Sequence, residues 1–138
     1  MTTIIDTSVW IALFRDKTGQ VAAQIRSAVA EDNVASVGPV RLELLQGCRS
    51  DDEWKAIEQR LAGFEELRFP PDIWHAAARI YFDLRRRGLT VRSALDCSIA
   101  ALSLHHGCTL IHNDRDFETI AAVTPLKHLR LKFDKSAP

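Results

Sequence analysis

Residues 93–117 read SALDCSIAALSLHHGCTLIHNDRDF, a segment that places a helix, a strand and an acidic turn in immediate succession. Ser93 is a helix-capping residue, and no proline or glycine interrupts the chain until Gly107, so a helix is expected from Ser93 to about His106, ended at Gly107. Cys108 to His112 is then an apolar run of strand length. Asn113-Asp114-Arg115-Asp116 follows it directly, and a short helix is expected from about Phe117. Helix, strand, acidic turn and helix in this order belong to an α/β sheet of parallel strands, where function gathers at the carboxyl ends of the strands.

The same alternation continues towards the amino terminus. Thr3-Ile4-Ile5 is a short β-prone run ended by Asp6-Thr7-Ser8, and Val9 to Phe14 reads as a short helix. Thr18 can cap a second helix with Val21, Ile25, Ala28 and Val29 on one face, and Val34 to Val37 reads as a strand. Gly38-Pro39 opens a helix carrying Glu43, and Asp51 or Asp52 starts another in which Trp54, Ile57, Leu61 and Phe64 recur. Leu67 and Phe69 mark a short strand. Pro70-Pro71-Asp72 launches the longest helix, with Ile73, Ala77, Ile80, Tyr81 and Leu84 inward and Gly88 as its stop. A final strand lies near His128 to Leu131, before a polar tail from Asp134. The pattern gives a parallel sheet covered on both faces, in one domain over residues 1–138.

Composition narrows the function classes. With 46% apolar and 26% charged residues the chain is an ordinary globular one, and neither a bilayer-length apolar run nor a basic-then-apolar leader is present, so a cytoplasmic protein without membrane attachment is expected. Cys48, Cys97 and Cys108 fit no zinc framework and are expected as small apolar residues. His105, His106 and Cys108 lie close together but lack a fourth ligand of matching spacing. The formal net charge is zero, so an acidic cleft facing a basic rim must be sought locally.

The acids supply that cleft. Asp6 follows the first strand, Asp114 and Asp116 follow the strand at 109–111, and Glu43 and Asp96 lie near the starts of helices that can reach the same edge. Asp96 shares a helical face with Ile99, Ala100 and Ser103, which places its carboxylate at the border of the core, where a charge needs a partner or a metal. Taken singly, Asp6, Asp114 and Asp116 are also explained as turns and caps, and Glu43 and Asp96 as partners of a helix dipole. Acids on four separate elements at one edge would repel unless a cation joined them. Oxygen-only ligands favour Mg²⁺ or Mn²⁺, and such a centre suits phosphodiester hydrolysis.

Four motifs in order then resemble the PIN-domain family. They are Ile4-Ile5-Asp6-Thr7-Ser8-Val9-Trp10, Pro39 to Gly47 around Glu43, Val91 to Ala101 around Asp96, and Leu110 to Phe117 around Asp114. The resemblance covers nearly the whole chain. It implies an α/β/α sandwich around a mainly parallel sheet of four to five strands. It also implies that Asp6, Glu43, Asp96 and Asp114 are catalytic and hold Mg²⁺ or Mn²⁺ with help from Asp116. Thr7 or Ser8 would offer a hydroxyl to a metal-bound water. A stand-alone domain of this size is similar to VapC toxins, endoribonucleases silenced by a VapB antitoxin, which commonly form homodimers and cut transfer or ribosomal RNA.

Arg86, Arg92 and Arg115 are candidates for gripping RNA phosphates, although the run Arg85-Arg86-Arg87 also suits a helix's last turn. Trp10 and Trp74 could stack on bases, with core or dimer packing the more natural role for Trp74. A phospho-aspartate phosphatase would want an acid two residues after Asp6, where Ser8 stands. A topoisomerase–primase-type site would leave Asp6 and Asp96 without roles. Two alternatives remain: a binding module of the same fold with negligible turnover, and an RNA-processing nuclease outside any toxin pair.

Overall fold

The computed structural model describes residues 1–133, and the polar tail from Asp134 lies outside the described residues. The chain runs β1 (Thr2–Ile5), α1 (Thr7–Arg15), α2 (Gln20–Val29), β2 (Asn33–Ser36), α3 (Gly38–Gln46), α4 (Asp51–Ala62) and β3 (Glu65–Glu66). It continues through α5 (Asp72–Arg86), α6 (Ala94–His106), β4 (Thr109–His112), α7 (Arg115–Ala121) and β5 (His128–Arg130). All five strands are parallel, in the order β3-β2-β1-β4-β5. Ile4 lies opposite Ala35 on one side and Leu110 on the other.

Successive strand residues point to opposite faces, so burial of neighbours reports on both faces at once. Thr3, Ile4 and Ile5 are all buried, as are Leu110, Ile111 and His112. The sheet is therefore covered on both sides, as parallel strands require. α6 is buried on every residue from Asp96 to Ser103, and its small side chains let it lie deep in the layer. Its buried hydroxyls are satisfied: Ser98 donates to the Leu95 carbonyl at 2.6 Å and Ser103 to that of Cys108 at 3.1 Å. Ser93 caps the helix on the Leu95 N–H, and Gly107 ends it at φ +66°, a left-handed turn that favours glycine. α5 packs along α6 with Ile73, Ala77, Ile80 and Leu84 on its buried face. Among the described residues no helix is long and apolar enough to cross a membrane.

This topology puts a crevice between β1 and β4. Strand order reverses there, since β1 is followed by β2 on one side while β4 lies on the other. Open α/β sheets bind their ligands at such a switch point, beyond the carboxyl ends of the strands.

Three local expectations need correction. The third strand is Glu65–Glu66, not Leu67 and Phe69, which instead pack partly buried against the core. The N-cap of α2 is Gly19, while Thr18 assists by accepting the Gln20 N–H at 3.1 Å. The tryptophans exchange roles: Trp10 is 6% exposed and packs on Phe14 and Phe64, whereas Trp74 is 60% exposed and rests on Phe69. Trp10 is thereby unavailable for stacking on bases, and Trp54 on α4 also lies exposed.

Candidate metal centre

Four elements deliver five carboxylates to that crevice. Asp6 ends β1, where its backbone N–H donates to the Ile111 carbonyl at 2.8 Å and so locks β1 to β4. Glu43 projects from α3, which starts at the carboxyl end of β2. α6 runs back into β4, so its first turn, with Asp96, begins at the same edge. Asp114 and Asp116 follow β4.

The carboxylates form two overlapping triads, Asp6–Glu43–Asp96 and Asp96–Asp114–Asp116. Within each, one ligand oxygen per residue lies within 4.8 Å of the others. Asp96 belongs to both.

The simple capping roles also hold. Asp6 caps α1 by accepting the Ser8 N–H at 3.0 Å, and Asp114 caps α7 by accepting that of Asp116 at 2.9 Å. Capping does not require burial, yet Asp6, Asp96 and Asp116 are all buried. Among the described residues no ion pair reaches Asp6, Glu43 or Asp96. Burial, with the Glu43 charge adding to it, pushes the Asp6 carboxyl up to about 6 although hydrogen bonds from Ser8 pull the other way. Asp96 is pushed up to about 7, first by burial and then by the charges of Asp6, Asp114, Glu43 and Asp116.

Neighbouring hydroxyls hold these acids in place. Ser8 Oγ donates to Asp6 Oδ2 at 2.5 Å and accepts the Asn113 N–H at 3.0 Å, tying the two strand ends together. Thr7 Oγ1 donates to Glu43 Oε1 at 3.0 Å. Both hydroxyls are thus engaged in orienting carboxylates. Arg92 lies against Asp114 and Asp116, with Nη2 2.8 Å from Asp114 Oδ2 and Nε 3.1 Å from Asp116 Oδ2. Arg115 sits exposed in the first turn of α7. Arg86 makes no ion pair with these acids among the described residues, and its guanidinium lies 5.6 Å over the Phe82 ring.

His112 is a participant that the sequence did not signal. Its Nδ1 accepts the Asp114 N–H at 3.2 Å, so its proton belongs on Nε2, which faces His128 Nδ1 at 2.9 Å. The ring is fully buried against Phe117, and burial pushes its pKa down to about 4. It stays neutral and helps set the turn that carries Asp114. His105, His106 and Cys108 form no ligand cluster among the described residues; His106 Nε2 lies 2.8 Å from the Arg68 carbonyl oxygen.

The PIN domain pattern matches residues 3–123, which includes all five acids. The chain belongs to the PIN domain family. Similar PIN proteins include the VapC ribonuclease Mb1587 of Mycobacterium bovis and the ribonuclease VapC11 of Mycobacterium tuberculosis. Each is 40% identical over 128 residues, covering 90% of this chain and 95% of the relative. Among solved PIN structures, the VapBC2 complex of Rickettsia felis bound to a promoter DNA fragment superposes with a TM-score of 0.76 at 14% identity, covering 96% of this chain and 100% of the other. VapC20 of Mycobacterium tuberculosis, described as a sarcin–ricin loop cleaving toxin, superposes with a TM-score of 0.61 at 22% identity, covering 87% and 94%. The PIN fold places its sheet as expected, with five strands, all of them parallel.

Proposed function

We propose that this chain is a VapC-type toxin, an endoribonuclease that uses Mg²⁺ or Mn²⁺ to hydrolyse RNA phosphodiester bonds and is silenced by a VapB-like antitoxin. The observation that carries it is the convergence of five acids from four elements into two triads sharing Asp96. Their donor set is all oxygen, which suits a hard divalent ion, and burial followed by repulsion from neighbouring carboxylates raises the Asp6 and Asp96 carboxyls.

Asp6, Glu43, Asp96, Asp114 and Asp116 would hold the metal, as one ion or two. When bound, it supplies Lewis-acid activation of water and neutralises charge at the scissile phosphate. The protein's own part is positioning. Ser8 fixes Asp6, Thr7 fixes Glu43, and His112 fixes the Asp114 turn. Arg92, Arg115 and Arg86 are the candidate cations for flanking phosphates. Structured transfer or ribosomal RNA is the expected substrate class, and a homodimer the expected working form. A groove lined by Ile11, Phe14, Leu44, Ile57 and Arg60 reaches Glu43, and its apolar floor suits an antitoxin segment that would close the centre.

Purified, antitoxin-free protein incubated with total cellular RNA and Mg²⁺ is expected to produce discrete new ends. EDTA or the Asp6→Asn substitution should abolish them. Absence of cuts by folded protein, or cuts that persist in both controls, would overturn the proposal.

A further inference from the structure

The acidic centre is charged unevenly. Of its two triads, only Asp96–Asp114–Asp116 receives a cation from the described residues, and that cation is Arg92. The contact is made three ways. Nη2 reaches Asp114 Oδ2, Nε reaches Asp116 Oδ2, and the Arg92 backbone N–H donates to the same Asp116 oxygen at 3.1 Å. The guanidinium thus bridges two acids, making one hydrogen bond to each. Its side chain is 77% exposed, so the two carboxylates hold it, not packing. Asp114 and Asp116 are only 17% and 7% exposed, so the carboxylate side of the contact is buried while the guanidinium side lies open to solvent and to a competing cation.

We propose that Arg92 is a tethered counter-cation that closes the Asp96–Asp114–Asp116 triad in the resting protein. The chain then holds one divalent ion tightly, at Asp6, Glu43 and Asp96, and admits a second only as Arg92 swings out. The inference rests on the acids being a divalent-cation centre.

The chemistry favours this exchange. Arginine keeps its proton at any ordinary pH, so a divalent ion must compete with its full charge. A divalent ion carries twice the charge and prefers hard oxygen ligands. Its apparent affinity for the second triad is reduced by the fraction of time Arg92 occupies that triad. Once displaced, the guanidinium remains tethered one residue before the N-cap of α6, beside the centre, where it can meet a substrate phosphate. Arg92 would thereby link second-ion entry to substrate grip.

The test is a Mn²⁺ titration of the full chain, with free ion followed by electron paramagnetic resonance. The parent is expected to bind one Mn²⁺ per chain, with a second at least about tenfold weaker. Arg92→Ala and Arg92→Gln should bind the second ion at least about tenfold more tightly than the parent does, and Arg92→Lys should fall between. Two equal ions on the parent, or a weak second ion unchanged in both variants, would overturn the role of Arg92 while leaving the metal centre intact. No Mn²⁺ on any chain would instead overturn the metal centre itself. Both variants should fold, because the side chain is exposed and the backbone bond to Asp116 survives. Loss of folded protein in both would assign Arg92 to fold maintenance and also overturn the proposal.

Discussion

Asp96→Asn is expected to lower metal-dependent RNA cleavage by at least about a thousandfold, corresponding to roughly 4 kcal/mol of lost transition-state stabilisation. Asp96 is the one residue common to both triads, so its loss weakens every ion the centre can hold. The same substitution should make the ion-free protein more stable at neutral pH. Asp96 is only 8% exposed and faces Asp6, Asp114, Glu43 and Asp116 without an ion-pair partner among the described residues. Asparagine keeps its shape and removes the unpaired charge. Single-turnover cleavage and thermal melting in EDTA would measure the two effects. Activity within tenfold of the parent, or activity lost together with the fold, would contradict the assigned role.

The second large effect concerns pH. In EDTA the protein is expected to lose thermal stability as pH rises from about 5 to about 7.5, and Mg²⁺ should abolish much of that loss. The sign follows from the folded-state values: Asp6 titrates at about 6 and Asp96 at about 7, against an ordinary 3.8. Between 3.8 and about 7 the native state therefore holds protons that the unfolded chain has already released, and stability falls with rising pH. His112 opposes part of this. Its native value of about 4 against 6.5 makes stability rise with pH across that window, offsetting one aspartate of the two. The net loss is on the order of 2–4 kcal/mol, or about 10 °C in melting temperature. A divalent ion binds the ionised carboxylates, so the gap between Mg²⁺ and EDTA melting curves should widen with pH. That gap also cancels titrations elsewhere in the chain. A gap independent of pH, or one unchanged in Asp96→Asn, would separate the raised carboxyls from ion binding.

Much of this centre is legible in the sequence because its acids sit where local grammar is strongest. Asp6 and Asp114 each directly precede a helix, after a strand that reads as apolar, and Asp96 follows a capping serine. Such positions can be assigned to one sheet edge before any distance is known. The partners are another matter. Arg92 finds Asp114 and Asp116 across 22 and 24 residues, and nothing in a helix-flanking arginine distinguishes a carboxylate partner from an RNA phosphate. His112 pairs with His128 only because β4 and β5 lie side by side, and an isolated histidine in an apolar strand gives no sign of it.

The misplaced third strand has a similar cause. Glu65 and Glu66 are exposed and not β-prone, but backbone pairing with Ala35 and Ser36 makes them the edge strand. Leu67 and Phe69 carry the more apolar side chains, which pack against the core just beyond the strand, where the Leu67 N–H makes a last bond to the Ser36 carbonyl at 2.9 Å. Helical periodicity likewise marks which way Trp54 and Trp74 point, not how far their neighbours extend to cover them. Both remain exposed while Trp10, on a short helix, is enclosed by Phe14 and Phe64.

The most direct test of a divalent-cation centre built from these acids is anomalous scattering from crystals grown with Mn²⁺. A peak among the carboxylates of Asp6, Glu43 and Asp96, absent from Asp96→Asn crystals, is the expected result. Crystals of the parent protein with no peak there, or with Mn²⁺ bound only elsewhere, would contradict it.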